Sequence, residues 1–509
     1  MRGDPYRVPV IIGVGQINDP SQTETLGPSV LDLMQAALMR AERDAGGDWL
    51  SQVDFLGIEN QISSEVAAWP GDDPITPHLT ARLGITPRET LLTQEPSGDG
   101  PVFLLNVAAN RIASGETKVA AIVGAEALRT AARRAAQQAP DHGGKRDVMR
   151  DLLDSSVVPI LQQYGLLTPT DVYPLYESAT RATWGQTLDE AQDESARIWS
   201  LFSQVAATNE HAALRQPVSA DQVRTTSASN RMVTFPYTKL MVANSAVNQG
   251  AGLIVTSLGL AQERGIASEH LIFVGAGATA HESDDILARD SYARSPAMAA
   301  SMAGALANNG LSRDAIDHVE LYSCFPCVVK MARRELGWPL DRPASVYGGL
   351  TFGGGPIGNC MMHAAASMTL KLRHHGRNGL IFANGGFATH NHTIALSRDR
   401  FPDGVLNKDF SVQAEADRMR GPTPDLDASY QGSAKIEALS IPYGRDGTPA
   451  FATVVARTSD NRRLLARVPR DDEAGLDFLT LGRSEPVGSV GRATLHQDGT
   501  MHWKIEQQR

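Results

Sequence analysis

Apolar and polar positions along the first 400 residues follow two alternating periods. Short β-branched and aliphatic runs bounded by glycine or polar turns predict strands, and longer stretches with apolar residues every three to four positions predict helices. In the first half these elements come in the order strand Val8–Val14, helix Thr25–Asp44, strand Asp54–Ile58, helix Val102–Ser114, strand Lys118–Gly124 and strand Ala251–Ser257. Strands that alternate with helices indicate βαβ units and a mainly parallel sheet, so we predict an α/β fold.

The same order of elements starts again near residue 266. The predicted elements are strand Leu271–Gly275, helix Ala297–Asn309, strand His318–Tyr322, helix Val328–Glu335, helix His363–Leu372, strand Leu380–Ala383 and strand Thr393–Ser397. Both halves place a glycine-rich turn before an alanine-rich helix and end on strand, glycine, strand. We therefore predict an internal duplication, with an N-terminal α/β domain in residues 1–265 and a second copy in residues 266–400.

Three segments depart from the α/β pattern. Residues 127–234 are helical and polar with few strands, which predicts a loop or lid domain inserted in the first copy, and residues 401–430 are rich in Pro, Asp and Gly, which predicts a linker. The pattern in residues 431–509 then predicts a small all-β, barrel-like unit with strands Ala434–Ile441, Ala450–Arg457, Arg463–Val468 and Ala493–Leu495. The pattern leaves open whether this unit binds a partner or only caps the core.

Composition and charge restrict the classes of function. A net charge of −10 argues against a nucleic-acid partner, because phosphate binding needs a concentrated basic surface, and the short basic cluster Arg129–Arg134 is interpreted as a solvated helix face. No stretch approaches the roughly 20 apolar residues of a membrane-spanning helix, and the start of the chain lacks a signal-peptide pattern. The three cysteines, Cys324, Cys327 and Cys360, fit no metal-site spacing, so we expect no metal and a reduced, cytoplasmic protein.

The most distinctive stretch is Val346–Met362, which holds six glycines between a predicted strand and a predicted helix. Glycine allows positive φ and close approach of the backbone to a ligand. A glycine-rich turn that leads into a helix also directs free N–H groups at whatever binds there. Alone, the stretch is explained equally well as a plain strand-to-helix connection.

Five segments in order resemble a known family. They are RIASGETKVAAIVGAEAL, MVTFPYTKLMVANSAVNQGAGLIVTS, VELYSCF, GGLTFGGGPIGN and NGGFATH. Together they make residues 8–398 similar to the thiolase superfamily, closest to the sterol-carrier-protein type, and the extra β unit is similar to that of thiolase-like proteins of type 1. The resemblance implies a duplicated thiolase fold of two α/β domains in five layers, αβαβα, with a helical loop-domain insertion and an additional C-terminal domain.

The resemblance also exposes four departures from the family's chemistry. Thiolases perform Claisen chemistry with a cysteine nucleophile, a histidine base, an oxyanion-holding group and a second cysteine. An ungapped comparison places Gly98 at the nucleophile, and a gapped one places Glu95 there. Gly355 stands for the histidine of the GHP motif, Tyr322 for the histidine of HDCF, and Ala383 for the second cysteine. No acyl-enzyme forms on a glycine or a carboxylate in this way, so the resemblance does not carry over thiolysis.

The remaining polar groups give the candidate site. Tyr322 and Tyr347 are candidates for acid/base work and are explained equally well as half-buried residues with a satisfied hydroxyl. His390 follows the NGGFAT turn and is a candidate pocket residue. Asp99 is interpreted as a proton acceptor, a hydrogen-bond partner for a coenzyme A amide or a helix cap. Cys360 opens a helix, where the dipole lowers a thiol pKa, and is the candidate reactive thiol.

Backbone groups complete the predicted pocket. We expect Gly354, Gly386 and Asn384 to line it and to offer N–H groups to an oxyanion. Cys324 and Cys327 are expected to act as small core residues rather than as catalysts.

Three hypotheses for function follow from the resemblance. The first is an acyl-CoA-handling enzyme, nominally an acetyl-CoA acetyltransferase-like acyltransferase. The second is a lyase that cleaves a β-hydroxyacyl-CoA by retro-aldol chemistry with Tyr322 and Tyr347, as in the steroid side-chain aldolases, which work with a partner carrying a small β-barrel. The third is a non-catalytic scaffold that binds coenzyme A or lipid. All three imply an acyl-CoA thioester as ligand, coenzyme A only as part of the substrate, no bound cofactor, and a monomer or homodimer.

Overall fold

The computed structural model describes residues 3–20, 27–63, 75–138, 158–402, 406 and 409–506. The first α/β half contains strands β1 (Pro9–Asn18), β2 (Phe55–Ile58), β3 (Glu89–Leu92), β4 (Val119–Ala127) and β7 (Asn248–Ser257), and helices α1 (Val30–Asp44), α2 (Ile75–Leu83), α3 (Gly100–Ser114) and α9 (Leu258–Glu263). The second half contains strands β8 (Ile272–Val274), β9 (Ala278–His281), β10 (His318–Leu321), β11 (Asn378–Gly385) and β12 (His390–Ser397), and helices α10 (Pro296–Asn308), α11 (Pro326–Leu336) and α12 (Cys360–His374).

The two halves repeat one sheet design. In the first half the order is β3-β2-β4-β7-β1, with β2 parallel to β3 and β4 and with β7 antiparallel to β4 and β1. In the second half it is β10-β11-β12-β8, with β10 parallel to β11 and with β12 antiparallel to β11 and β8. The place of β3 is taken there by the extended segment at Ala344, whose carbonyl accepts a hydrogen bond from the N–H of Leu321. The predicted duplication is confirmed.

Helices lie on both sides of each half-sheet. Strand β1 pairs with β8, so the strands of both halves form one continuous ten-stranded sheet. Helices α3 and α12 lie between the halves and pack on each other, while α1 covers the outer face of the first half and α10 that of the second. This gives the predicted five layers.

Local sequence explains how closely these layers pack. A Cβ at Gly13 of β1 would lie 2.1 Å from the carbonyl oxygen of Ala41 in α1, so only glycine allows this approach of helix and strand. Helix α1 begins at a capping box formed by Ser29 and Asp32. Helix α3 ends at Gly115, which has φ of +74°.

The predicted helical insertion is present. Between β4 and β7 lie α4 (Leu128–Gln138), α5 (Pro159–Gln163), α6 (Pro169–Thr183), α7 (Leu188–Thr208) and α8 (Ala220–Arg224), followed by the short strands β5 (Met232–Phe235) and β6 (Tyr237–Thr238). Residues 139–157 of the predicted insertion lie outside the described residues.

The C-terminal unit is a closed five-stranded barrel. Helix α13 (Gln413–Met419), in the predicted linker, packs on α10 and β9 of the second half. The barrel unit contains β13 (Gly432–Pro442), β14 (Ala452–Arg457), β15 (Arg463–Val468), α14 (Glu473–Thr480), β16 (Val490–Leu495) and β17 (Met501–Ile505). The strands close in the order β13-β14-β15-β17-β16, and β5 of the insertion extends the sheet by pairing Phe235 with Ile441. The predicted barrel is therefore confirmed, and it is joined to the insertion by a shared sheet. No helix within the described ranges is long and apolar enough to cross a membrane.

Candidate functional site

The N-termini of α3 and α12 meet at the centre of the molecule. Gly98 stands just before α3, Cys360 opens α12, Tyr322 follows β10, and Asn384 lies near the end of β11. A Cβ built on Gly98 would lie 2.3 Å from the carbonyl oxygen of Asn384 and 2.4 Å from the hydroxyl oxygen of Tyr322. The structure thus brings together four of the residues singled out from the sequence.

The phenol of Tyr322 fills the space that a side chain at position 98 would need. Its hydroxyl lies beside the thiol of Cys360. Burial, and then the neighbouring thiols of Cys360 and Cys324, raise the pKa of Tyr322 well above its usual value, so the phenol keeps its proton at neutral pH. Glu95, the alternative nucleophile position, is exposed, so the geometry favours the ungapped comparison through Gly98.

A tyrosine from the insertion closes the site, and no motif in the sequence indicated it. The hydroxyl of Tyr173 in α6 lies 3.0 Å from the carbonyl oxygen of Gly386 and 3.2 Å from Oδ1 of Asn384, and it accepts a hydrogen bond from the N–H of Ala388. Its ring stacks on Phe325 at 4.7 Å between centroids. The insertion therefore contacts the expected pocket residues Asn384 and Gly386 through Tyr173.

All three cysteines are buried. Each lies beside the hydroxyl of a tyrosine, Cys360 beside Tyr322, Cys324 beside Tyr173 and Cys327 beside Tyr237. The thiol of Cys360 donates a hydrogen bond to the carbonyl oxygen of Ile357, and that of Cys327 to the carbonyl oxygen of Tyr173, both at 3.6 Å. Burial raises the pKa of the Cys360 thiol far above its usual value and that of Cys324 to about 12. The helix N-terminus at Cys360 was expected to lower the thiol pKa, but loss of hydration outweighs it.

Tyr347 and the glycine stretch form a packed support. The ring of Tyr347 is fully buried, and its hydroxyl donates a hydrogen bond to the carbonyl oxygen of Gly354. A Cβ at Gly355 would lie 3.3 Å from the Cβ of Ala243 and from the carbonyl oxygen of Leu350, so even a methyl group would be in tight contact there. The hydroxyl of Tyr347 is thus hydrogen-bonded to the backbone, unlike that of Tyr322. Ala383, the position of the second cysteine in thiolases, is fully buried within β11.

A polar rim lies on the other side of the segment before α3. A Cβ at Gly385 would lie 2.5 Å from Oδ1 of Asp99 and 3.4 Å from the Cβ of His390. Asp99 accepts a hydrogen bond from the hydroxyl of Ser97, whereas no side-chain cap from Asp99 to α3 is formed. The predicted pocket residues Asp99 and His390 are therefore neighbours. Asp99 stands at the N-cap position of α3, as one interpretation expected, but it caps the helix through its backbone carbonyl and not through its carboxylate.

His390 is paired with a histidine that the sequence did not indicate. Nδ1 of His390 lies 2.8 Å from Nδ1 of His281, because the β9–β12 register places these residues side by side. Burial, and then the neighbouring His390, lower the pKa of His281. His281 is exposed, and His390 is half-buried. An imidazole pair that reaches solvent suits a proton acceptor.

A buried glutamate side chain contacts the glycine-containing turns at the starts of α3 and α12. Glu59, directly after β2, accepts hydrogen bonds from the N–H of Ser97 at 3.0 Å and from the hydroxyl of Thr93 at 3.1 Å. A Cβ at Gly100 or at Gly358 would collide with its carboxyl group. Burial raises the pKa of Glu59 well above its usual value. Glycine is thus required in both turns by contact with this side chain.

The fold and this junction define the class of the protein. Two copies of one α/β design, with the N-termini of two central helices meeting between them, form the thiolase fold. Among solved structures the chain is similar to human mitochondrial 3-ketoacyl-CoA thiolase, with 15% identity over 77% of this chain and 100% of that one and a TM-score of 0.58. It is similar to the Ltp2-ChsH2(DUF35) aldolase, with 20% identity over 77% and 98% and a TM-score of 0.57.

More specific matches include the C-terminal barrel. Residues 412–500 match the family model of the thiolase-like protein type 1 additional C-terminal domain. The chain is similar throughout to a monomeric SCP2-thiolase-like protein type 1 from Mycobacterium smegmatis, with 27% identity over 99% of this chain and 100% of that one and a TM-score of 0.81. Comparison with the sequences of curated proteins gives no match. The resemblance to thiolase-like proteins of type 1 is confirmed.

Proposed function

We propose that the protein binds a β-hydroxyacyl-CoA where α3 and α12 meet and cleaves it as a retro-aldolase, rather than transferring an acyl group through a cysteine. One observation carries this proposal. The phenol of Tyr322 occupies the space of the missing nucleophile, since a Cβ at Gly98 would lie 2.4 Å from its hydroxyl oxygen. A site with a hydrogen-bond donor in place of a nucleophile suits chemistry without a covalent intermediate.

In this reaction a base takes the proton of the β-hydroxyl group. The Cα–Cβ bond then breaks, the β-carbon leaves as a ketone or aldehyde, and the electron pair passes to the thioester as an enolate that is protonated at Cα. The Tyr322 hydroxyl donates a hydrogen bond to the thioester oxygen, where negative charge develops. Its raised pKa supports a role as donor rather than as base.

The base in this proposal is the His390–His281 pair. His390 lies beside the segment 97–99 that also contacts Tyr322, so one bound substrate can meet both groups. A proton accepted by His390 passes along the Nδ1–Nδ1 contact to His281, which is exposed to solvent. Asp99 stabilises the charged pair, since its carboxylate opposes the lowering of the pKa of His281.

The barrel supports the helix that closes the site. The N–H of Leu439 in β13 donates a hydrogen bond to the hydroxyl of Ser178 in α6, and Tyr173 lies on the same helix. In this proposal the fused barrel takes the place of a separate β-barrel partner protein, because it supports α6. We propose that the protein acts as a cytoplasmic monomer and uses no cofactor besides the coenzyme A of its substrate.

Product release from β-hydroxyacyl-CoA substrates tests this function. Tyr322→Phe is expected to lower kcat by about 10²–10³, the loss seen on removal of one oxyanion donor. Tyr347→Phe is the matched control, because its hydroxyl is bound to the Gly354 carbonyl, and it is expected to retain kcat. Equal losses in both variants would refute the role of Tyr322. Coenzyme A binding without turnover would favour the scaffold, and thiolysis abolished by Cys360→Ala would restore the acyltransferase.

A further inference from the structure

A cluster of metal-ligand side chains lies in the β16–β17 hairpin, far along the chain from the candidate site. His496, Asp498 and His502 each place a ligand atom within 4.8 Å of the others. The hairpin register pairs Thr494 with His502 and Leu495 with Met501, so both histidines meet at the turn. We propose that these three side chains bind one divalent first-row transition-metal ion, with Zn²⁺ preferred.

The donor atoms lie close enough together to reach one tetrahedral ion after the rings rotate. With bonds of about 2.0–2.1 Å, two ligands of tetrahedral Zn²⁺ are roughly 3.3 Å apart. Nδ1 of His496 lies 3.2 Å from Oδ1 of Asp498, and Nε2 of His502 lies 3.6 Å from Oδ2. Two imidazoles and one carboxylate are ligands of the type that Zn²⁺ takes. We expected no metal site from the cysteine spacing, and these ligands do not involve cysteine.

The carboxylate is already oriented by its own hydrogen bonds. Oδ1 of Asp498 accepts from the N–H of Thr500 at 2.8 Å and from its hydroxyl at 2.7 Å. Oδ2 is thereby left for the ion. Hydrogen bonds of this kind to a ligating group typically change metal affinity 10–100-fold.

Binding requires a small rearrangement of the histidines. Their rings are stacked with centroids 4.1 Å apart and planes 12° from parallel. Because the nitrogen lone pairs lie in the ring planes, both rings must rotate out of this stack to face one ion. His496 is exposed and His502 is half-buried, so rotation about χ2 is open to them. The fourth position of the ion faces solvent and holds water.

Occupancy would stiffen a contact between the barrel and the insertion. The side-chain amide of Gln163 in α5 donates to the carbonyl oxygen of Gly499 at 3.0 Å, and the N–H of Met501 donates to the hydroxyl of Tyr164 at 2.9 Å. Both contacts belong to the turn that the ion would close. The site is thus placed to link the barrel to the inserted helices, independently of the reaction proposed above.

The test uses the full-length protein, freed of metal by a chelator and titrated with Zn²⁺ in a calorimeter, with Co²⁺ as a spectroscopic probe. We expect one equivalent to bind, with the visible absorption of tetrahedral Co²⁺. His496→Ala and His502→Ala should each weaken binding at least 100-fold, and Thr500→Val by 10–100-fold. The matched control is His374→Ala/His375→Ala, which removes an adjacent histidine pair elsewhere and should leave binding unchanged.

Two outcomes would overturn the proposal. One is the absence of Zn²⁺ binding to the native protein at micromolar concentration. The other is binding that survives His502→Ala at full strength, which would locate the ion elsewhere. Circular dichroism of each variant separates loss of ligands from loss of fold, and Thr500→Val gives a second comparison because it leaves all three ligands in place.

Discussion

Replacement of Gly98 by alanine is the most direct probe of the packing at the candidate site. The new Cβ would lie 2.3 Å from the carbonyl oxygen of Asn384, 2.4 Å from the hydroxyl oxygen of Tyr322 and 2.6 Å from its Cζ. Carbon in van der Waals contact needs about 3.5–4.0 Å. The Asn384 carbonyl belongs to the backbone of β11, so it cannot turn aside as the end of a flexible side chain would.

The magnitude follows from two opposing terms. Alanine restricts the unfolded chain more than glycine does, which favours folding by about 0.4–1 kcal/mol. Overpacking of a filled core site costs about 1–3 kcal/mol. The net expected loss in the free energy of unfolding for Gly98→Ala therefore lies between roughly 0 and 2.6 kcal/mol, with a central value of about 1.3 kcal/mol. Gly355→Ala is the matched control, because its Cβ would meet its nearest neighbours at 3.3–3.4 Å and the overpacking is much smaller.

Urea unfolding, followed by circular dichroism at fixed pH, measures both variants. A second pair of proteins, Tyr322→Phe with and without Gly98→Ala, isolates the contact with the hydroxyl. The cost of Gly98→Ala should fall in the phenylalanine background but not vanish, since the Asn384 contact remains. The reasoning is refuted if Gly98→Ala is no less stable than Gly355→Ala, or if its cost is the same in both backgrounds.

Three further predictions concern buried groups. Lys330→Met leaves the carboxylate of Glu177 buried without its cation, so urea unfolding should show a loss of about 3–5 kcal/mol, and a stability equal to wild type would contradict this. Burial raises the pKa of Glu320 from 4.5 to about 8, so the protonated side chain contributes fully to stability below pH 4.5, and this contribution is lost as the pH rises to about 8. In Glu320→Gln the urea midpoint should therefore depend less on pH between pH 5 and 8. An unchanged dependence on pH would contradict this role of Glu320. The three buried thiols should not react with Ellman's reagent until the protein is denatured, and one fast thiol in the native protein would disprove this.

Elements with a strong local pattern could be predicted from sequence. Strand β15 was predicted at its observed bounds, Arg463–Val468, because the apolar residues Leu464–Ala466 and Val468 lie close together between two polar turns. Strand β17 was missed because Met501 and Trp503 alternate with polar residues over only five positions, too few to give a clear period. The strand is held instead by its partners β16 and β15, which are contacts that a local pattern does not contain.

The residues of the candidate site also differ in how far the sequence could predict them. Gly98 and Tyr322 could be located because each belongs to a short motif with a fixed place in the fold. Tyr173 could not, because it reaches Asn384 across 211 positions through the packing of the insertion. His281 could not either, since only the register of β9 on β12 sets it beside His390. For Tyr173 and His281 the sequence shows which residue is present, but only the folded structure shows which residues it contacts.

The glycine at position 98 and the phenol of Tyr322 form one coupled feature of the packing. A glycine at position 98 by itself would leave a cavity at the helix terminus, and an unfilled core cavity costs stability in proportion to its volume. The phenol of Tyr322, supplied by the second α/β half where thiolases have a histidine, closes that space and carries a hydroxyl into it. A cysteine restored at position 98 would therefore collide with Tyr322 before it met any substrate. Gly355 carries no imidazole that could activate a thiol at this junction. The two halves thus fit each other across the junction, and in the proposed reaction the Tyr322 hydroxyl at their contact is the group that meets the thioester.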